Sequence, residues 1–357
     1  MATKRSNTKG IRSAAAGRVG TLRSAVSTGQ QFFNGAAGRW ATAQLKALAL
    51  EGKALSTSAL RAADTLRHEE WKFFDEALLE EAKIRLVGVA DLMGRGLVKP
   101  VTNALGKTVF AYEKLTDMDP ATVSLDGISR SHNDRQEFEL AQLPLPIIHK
   151  DFFINLRVLA ASRERGESLD TTQVRTAGRV VAEAMEDMLF NGSKTFGGLP
   201  IYGYLTHPDR NDGTFIANGD WAQSAKTGEN ILADALKAIS ALHTDRMFGP
   251  YIIYVPTDAG VKLENDFKAN SDKTIRQRLE EIDSIAAVRV ADTMPSGKVL
   301  VVQMTSDVTS WVNGENIQSI QWDEYGGFEI NFKAFAIGAP LVRSDAQSRS
   351  GVYELHS

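Results

Sequence analysis

The chain has 357 residues, 43% hydrophobic and 24% charged, enough to bury a core in two domains or one large domain with insertions. It has no cysteine, which excludes a disulfide framework, a thiolate nucleophile and any cysteine-ligated zinc or iron–sulfur site. The formal charge of −3 hides an asymmetry: residues 1–50 hold eight basic side chains and no carboxylate, so the other 307 residues hold 33 basic and 44 acidic groups, or −11.

Residues 1–38 are rich in Ala, Gly, Ser and Thr and poor in large apolar groups. Such a stretch buries too little surface to offset its ordering entropy, so it reads as an arm that a partner must hold. Lys4, Arg5, Lys9, Arg12, Arg18 and Arg23 can contact phosphates and release counterions, which gives salt-dependent binding to nucleic acid without sequence preference. No aromatic residue lies among the six, so base stacking is not expected there. From charge pattern alone a solubilising tail fits equally well, and the composition also fits a mitochondrial transit peptide. There is no apolar signal-peptide core and no run of about 18 apolar residues, so neither secretion nor a membrane-spanning helix is expected.

Helical signals begin near Trp40. From Glu69 to Met93 the apolar positions Trp71, Phe74, Leu78, Ala82, Leu86, Val89 and Leu92 recur every three or four residues, which predicts one amphipathic helix stopped at Gly94 and Gly96. Alternation through 109–115 predicts a strand. Residues 117–136 are polar, with Pro120 and Gly127, and read as a long exposed loop. Further strands run through Phe138 and Leu140, then through Phe152, Ile154 and Leu156. Two long strands around a polar tip describe a projecting hairpin.

The clearest helix is 171–190, with Asp170 and Gln173 fitting a capping box and Gly192 a stop. Val174, Ala177, Val181, Ala184 and Met188 form its stripe. Its charges oppose the macrodipole, with Arg175 and Arg179 early and Glu183, Glu186 and Asp187 late, at a cost of about 0.3 kcal/mol per exposed group. Either a neighbouring subunit or plain solvent screening could offset this. The acid pair Glu186–Asp187 reads as a solvated face.

After Gly197–Gly198 the pattern mixes helix and strand. Helices are expected at 229–243, 257–268 and 273–282. Strands are expected at 251–255, 285–291, 298–304, 316–323, 328–342 and 351–355.

Signals for catalysis are weak. Gly106-Lys107-Thr108 lacks the phosphate-loop glycine, because that position is Val101. No dinucleotide fingerprint and no nucleophile elbow occur. No two of the six histidines lie within a helical turn of each other. His149, His207 and His243 each precede an Asp by two residues, and they read as surface or hydrogen-bonded side chains lacking a converging third group. No metal, cofactor or enzymatic activity is expected. The remaining enzyme reading, a hydrolase-like protein behind a cleaved transit peptide, requires a mature N-terminus far downstream of Met1.

Basic arm, helices, long hairpin, one long helix, an α/β insertion and returning long strands together form a recognisable order. The stretches Leu143–Leu159 (LPLPIIHKDFFINLRVL), Leu169–Pro208 (a helix ending in Phe-Asn-Gly, then a glycine turn into Ile-Tyr-Gly-Tyr), Phe332–Val342 (FKAFAIGAPLV) and Val352–Leu355 carry it. Over roughly residues 70–357 the chain resembles the major capsid proteins of tailed bacteriophages, the Hong Kong 97-type α+β fold, which encapsulin nanocompartments share. The resemblance implies an N-terminal arm over 1–65 and a peripheral domain over 66–198 and 318–357. That domain would include an extended loop at 107–149 and a spine helix at 171–190. An axial domain would span 199–317.

The resemblance also implies a homo-oligomeric shell of pentamers and hexamers. Loop residues Lys114, Asp119, Asp126, Arg130 and Arg135 and spine residues Arg175, Arg179, Glu183 and Glu186 would contact neighbours. Packaged DNA, a scaffold, a portal and decoration proteins are the further partners implied, in a virion capsid assembled in the host cytoplasm. Some relatives crosslink a loop lysine, but no match picks among Lys107, Lys114 and Lys150, so that chemistry is not carried over. The long basic arm favours a phage capsid over an encapsulin.

Overall fold

The computed structural model describes residues 68–115, 121, 123, 125, 138–155, 172–269, 272–324, 329–345 and 347–357. They form two compact units. The smaller holds the described residues among 68–76, 151–174 and 319–334, and the larger those among 77–150, 175–318 and 335–357.

In chain order the helices are α1 (His68–Arg85), α2 (Gly88–Gly94), α3 (Thr172–Asn191), α4 (Gly228–Thr244), α5 (Thr257–Leu263) and α6 (Ile275–Glu280). The strands begin with β1 (Val98–Pro100), β2 (Val109–Leu115), β3 (Phe138–Pro144) and β4 (Ile147–Asn155). Next come β5 (Ser193–Phe196), β6 (Leu199–Ile201), β7 (Asn211–Thr214), β8 (Tyr251–Val255), β9 (Ile285–Val290) and β10 (Lys298–Gln303). The last are β11 (Thr309–Glu324), β12 (Glu329–Val342) and β13 (Val352–His356). The helical signals near Trp40 and the capping residue Asp170 lie outside the described residues.

The helix expected over 69–93 is broken between Arg85 and Gly88. Its apolar period continues through the break, so periodicity alone could not reveal it. A buried carboxylate takes up the freed backbone N–H groups of the second segment, as the next subsection describes.

The long helix α3 matches expectation in extent, but its buried stripe is Val174, Ala177, Val181, Ala182, Met185, Met188 and Leu189. Ala184 faces out, so the stripe lies partly to one side of the expected one. Gly178 allows α1 to come close: a Cβ there would lie 2.7 Å from the Leu78 carbonyl oxygen.

A five-stranded sheet in the order β7-β13-β10-β8-β9 forms the centre of the larger unit. β8 is buried throughout, as its run of Tyr, Ile and Val predicts. α4 covers this sheet with Ile231, Ala235, Ala238 and Leu242, and the core continues through Leu263, Leu279 and Val301. α5 and α6 are shorter than the expected 257–268 and 273–282.

The C-terminal strand sits elsewhere than the domain boundaries imply. β13 pairs antiparallel with β10, from Lys298↔His356 to Val302↔Val352, and parallel with β7. It therefore belongs with the sheet of the 199–317 region and not with the long strands. Glu354 on β13 is buried between Arg210 and Lys298, each 2.6 Å away, which locks this placement.

A second sheet runs in the order β1-β11-β12-β4. β11 begins at Thr309, earlier than the expected 316. Within the smaller unit Phe152 stacks on Phe332 at 5.2 Å, and Lys333 lies 3.6 Å from Asp151.

Candidate functional site

The ribbon of β2 and β3 has one exposed face. Its register, Val109↔Pro144 to Leu115↔Phe138, assigns alternate residues to opposite faces. Phe110, Tyr112, Lys114, Ala141 and Leu143 share the inner face and are partly or fully buried. Val109, Ala111, Glu113, Leu140 and Gln142 share the outer face and are exposed, Leu140 by 63%. The two strands form a sheet of their own. A two-stranded ribbon with one bare face is marginal alone and presents free edges, so its stability calls for a further surface. This outer face, where Val109, Ala111 and Leu140 lie beside Glu113 and Gln142, is the candidate site.

Tyr112 and Arg343 join the ribbon's inner face to the body, with the guanidinium carbon 5.5 Å from the ring centroid. Lys114 points the same way, and its charge acts on His207 and Asp209. It is half-buried rather than projecting from the tip. Asp119, Asp126, Arg130 and Arg135 lie outside the described residues, as do Lys4, Arg5, Lys9, Arg12, Arg18 and Arg23.

The charges of α3 find partners within their own chain. Arg175 lies 3.2 Å from Glu80 and 3.5 Å from Glu81 of α1, and Arg179 lies 2.9 Å from Glu183. Arg85 reaches Glu183 at 3.7 Å and Asp292 at 3.0 Å. The charge order that opposes the macrodipole is thus offset by a neighbouring helix of the same subunit.

Glu186 is not on a contact surface at all. It is 1% exposed. One oxygen accepts the N–H groups of Val87 at 3.2 Å and Gly88 at 2.5 Å, and the other accepts that of Val89 at 3.2 Å. These are the orphan donors at the start of α2, so a side chain from α3 caps a helix about 100 residues earlier. Gly88 is needed for the approach, because a Cβ there would lie 2.7 Å from Leu189. Burial pushes the Glu186 carboxyl up to about 7, against the opposing pull of the three N–H groups. This burial corrects the expected neighbour contact of Glu186 and its half of the solvated acid pair, whereas Asp187 is exposed as expected.

A second buried constellation escaped sequence reasoning. Asp234 accepts from the Ile216 N–H at 2.7 Å and the Trp221 indole N–H at 3.0 Å, and pairs with Lys226 at 2.7 Å. Lys226 also donates to the Ala217 carbonyl at 2.6 Å. Both charged side chains are fully buried, and they hold the 215–227 segment against α4. The signal was present: Asp234 lies three residues after Ile231 and four before Ala238, on the buried stripe.

His207 is buried, and its Nδ1 accepts the Asp209 N–H at 3.2 Å. Burial pushes the imidazole down to about 4, so it is neutral and structural. Among the described residues no cluster of three or more His, Asp or Glu side chains could hold a metal ion.

A family model described as "Family of unknown function (DUF6260)" matches residues 61–354. The type 1 encapsulin shell protein EncA of Myxococcus xanthus (strain DK1622) is 25% identical over 197 residues. That match covers 54% of this chain and 61% of EncA, less than two thirds of the relative's length. Among solved structures, a virus-like particle from Pyrococcus furiosus superimposes with a TM-score of 0.58 at 16% identity, covering 81% of this chain and 99% of that one. The capsid of Myoviridae phage XM1 follows at 0.57 and 11% identity, covering 76% and 92%. The capsid of an empty GTA particle gives 0.53 and 15% identity, covering 76% and 90%. These likenesses establish the Hong Kong 97-like α+β fold that the element order implies.

Proposed function

The chain belongs to the family described as a family of unknown function (DUF6260), and from its fold and relatives we propose that it is a shell-forming subunit of the encapsulin type. Copies of it assemble into a closed protein compartment that holds a protein cargo. The observation that carries this reading is the 25% identity to an encapsulin shell protein. The bare ribbon agrees with it, because a neighbouring copy is the simplest source of surface for its exposed face. In this reading the sheet unit of 199–317, joined by β13, is the axial domain. The long strands and α3 build the peripheral domain, and the arm and the loop at 107–149 reach neighbours.

A phage capsid subunit is the second reading. The acid-free first 50 residues favour it, because their eight cations suit packaged DNA or a scaffold. The EncA relationship turns the preference away from that reading. Purification of the full chain, negative-stain microscopy and absorbance ratios test both. Closed shells containing protein but no nucleic acid are expected. Shells filled with DNA would favour the phage reading, and monomers at every salt concentration would sink both.

A further inference from the structure

Four Asn-Gly pairs occur in the chain, at 34–35, 191–192, 218–219 and 313–314. Such a pair is chemically labile. The amide nitrogen that follows an asparagine can attack its side-chain carbonyl carbon, and glycine, with no Cβ, leaves that approach unhindered. The reaction needs a side chain free to turn and a backbone N–H free to lose its proton, so the fold decides which pair is open to it. Asn34 lies outside the described residues.

Two of the pairs are closed by hydrogen bonds. Asn191 donates to Asp187 at 2.7 Å and to the Thr293 carbonyl at 3.3 Å, and the Gly192 N–H donates to the Met188 carbonyl at 3.0 Å. Asn313 is held extended within β11. Its side chain donates to Asn316 at 3.0 Å, and its carbonyl accepts the Val101 N–H at 2.9 Å.

Asn218 and Gly219 differ from both. Asn218 is exposed and lies in no helix or strand. Among the described residues neither its side chain nor the Gly219 N–H has a hydrogen-bond partner. The turn itself calls for this pair. Asn218 has φ 60° and Gly219 has φ 74°, left-handed values that asparagine and glycine tolerate best. A Cβ at 219 would also lie 2.7 Å from the Gln223 side chain. Local folding thus selects a labile dipeptide and leaves it unprotected.

We infer that Asn218–Gly219 is a modification site, at which the asparagine converts without an enzyme to aspartate and isoaspartate. The Gly219 nitrogen loses its proton and bonds to Asn218 Cγ, the Cγ–Nδ2 bond breaks, and ammonia leaves a five-membered succinimide. Water then opens the ring at either carbonyl. One opening gives aspartate, and the other routes the main chain through the former side-chain carbons. Water is the only co-reactant, and the inference is independent of the shell reading.

The consequence follows from the clamps on either side. Before the turn, Lys226 holds the Ala217 carbonyl at 2.6 Å and Asp234 holds the Ile216 N–H at 2.7 Å. After it, Asp234 holds the Trp221 indole N–H at 3.0 Å. An isoaspartyl link lengthens the main chain by one carbon between segments that are both anchored on the buried Lys226–Asp234 pair. Conversion therefore loosens that pair and lowers subunit stability.

The test incubates the full-length wild type, folded and guanidinium-unfolded, at mildly alkaline pH and follows its peptides by mass spectrometry. Electron-transfer fragmentation separates aspartate from isoaspartate. Folding should slow conversion by more than about ten-fold at Asn191 and Asn313 and by less than about three-fold at Asn218. Both products should appear at 218, and the incubated protein should melt below fresh protein. Asn218→Gly should keep its melting temperature through the same incubation, because glycine tolerates the positive φ and lacks the reactive amide. Fresh Asn218→Asp should melt closer to fresh wild type than the isoaspartate form does, because it adds the charge without lengthening the chain. Protection of Asn218 as strong as that of Asn191 and Asn313 would overturn the site. Aspartate without isoaspartate at 218 would overturn the succinimide route. An equal fall in melting for wild type and Asn218→Gly would overturn the effect on the buried pair.

Discussion

Glu186 shows how one side chain can couple two helices and a pH response. Its carboxyl titrates near 7 in the fold, against an ordinary 4.5, so the folded subunit holds a proton that the unfolded chain releases. The resulting stabilisation is complete below about 4.5 and is lost as pH rises to about 7. The advantage in thermal melting of the wild type over Glu186→Gln should therefore shrink as pH rises across that window. That advantage should be about 1 kcal/mol below pH 4.5, where the amide replaces a neutral acid in the cap, and should vanish or reverse above pH 7, where the wild type carries a buried charge. His207 works in the opposite direction. Its folded value near 4 gives stability above the ordinary 6.5 that fades as pH falls, so the Glu186 variant is needed to separate the two. Lys226 and Asp234 call for a different test. Lys226→Met should cost about 3 kcal/mol in urea unfolding, because it strands the Asp234 carboxylate in the core. Combining it with Asp234→Asn should recover part of that loss.

Close backbone approach and strand faces set behaviour at the level of elements. α1 and α3 touch where Gly178 meets the Leu78 carbonyl. Alanine is the better helix former by about 1 kcal/mol, yet Gly178→Ala should destabilise the subunit by about 1–2 kcal/mol, because its Cβ forces the helices apart. Urea unfolding gives the sign directly. The ribbon supports the reverse pattern. Leu140→Lys alters only the bare outer face, so subunit melting should shift by less than about 0.5 kcal/mol. Particle yield should nevertheless collapse. A variant that assembles normally would show that a neighbour does not cover this face.

At the level of the whole molecule, the arm and body divide the charge between them. Deleting residues 2–24 removes six cations and should leave the body folded, with unchanged circular dichroism. Assembly or cargo content should fall. Identical particles with identical contents would identify the arm as a passive tail.

Much of the fold was legible in the chain because period is a local property. The 3.6-residue stripe of α3, the alternation of β2 and the apolar run of β8 each depend on neighbours a few residues away, and each element forms where expected. The order of those elements sufficed to suggest the fold class. Tertiary structure alone decided which polar groups meet. Glu186 finds Gly88 at a separation of 98 residues, and Arg210 finds Glu354 at 144. No spacing rule reaches that far, so an acid that reads as solvated can be a buried cap. A strand that reads as part of one domain can close the sheet of another. The sequence by itself determined the elements, their order and the uneven charge. Packing decided which carboxylates are buried and which face of the ribbon stays bare, because burial and pairing arise only when distant segments converge.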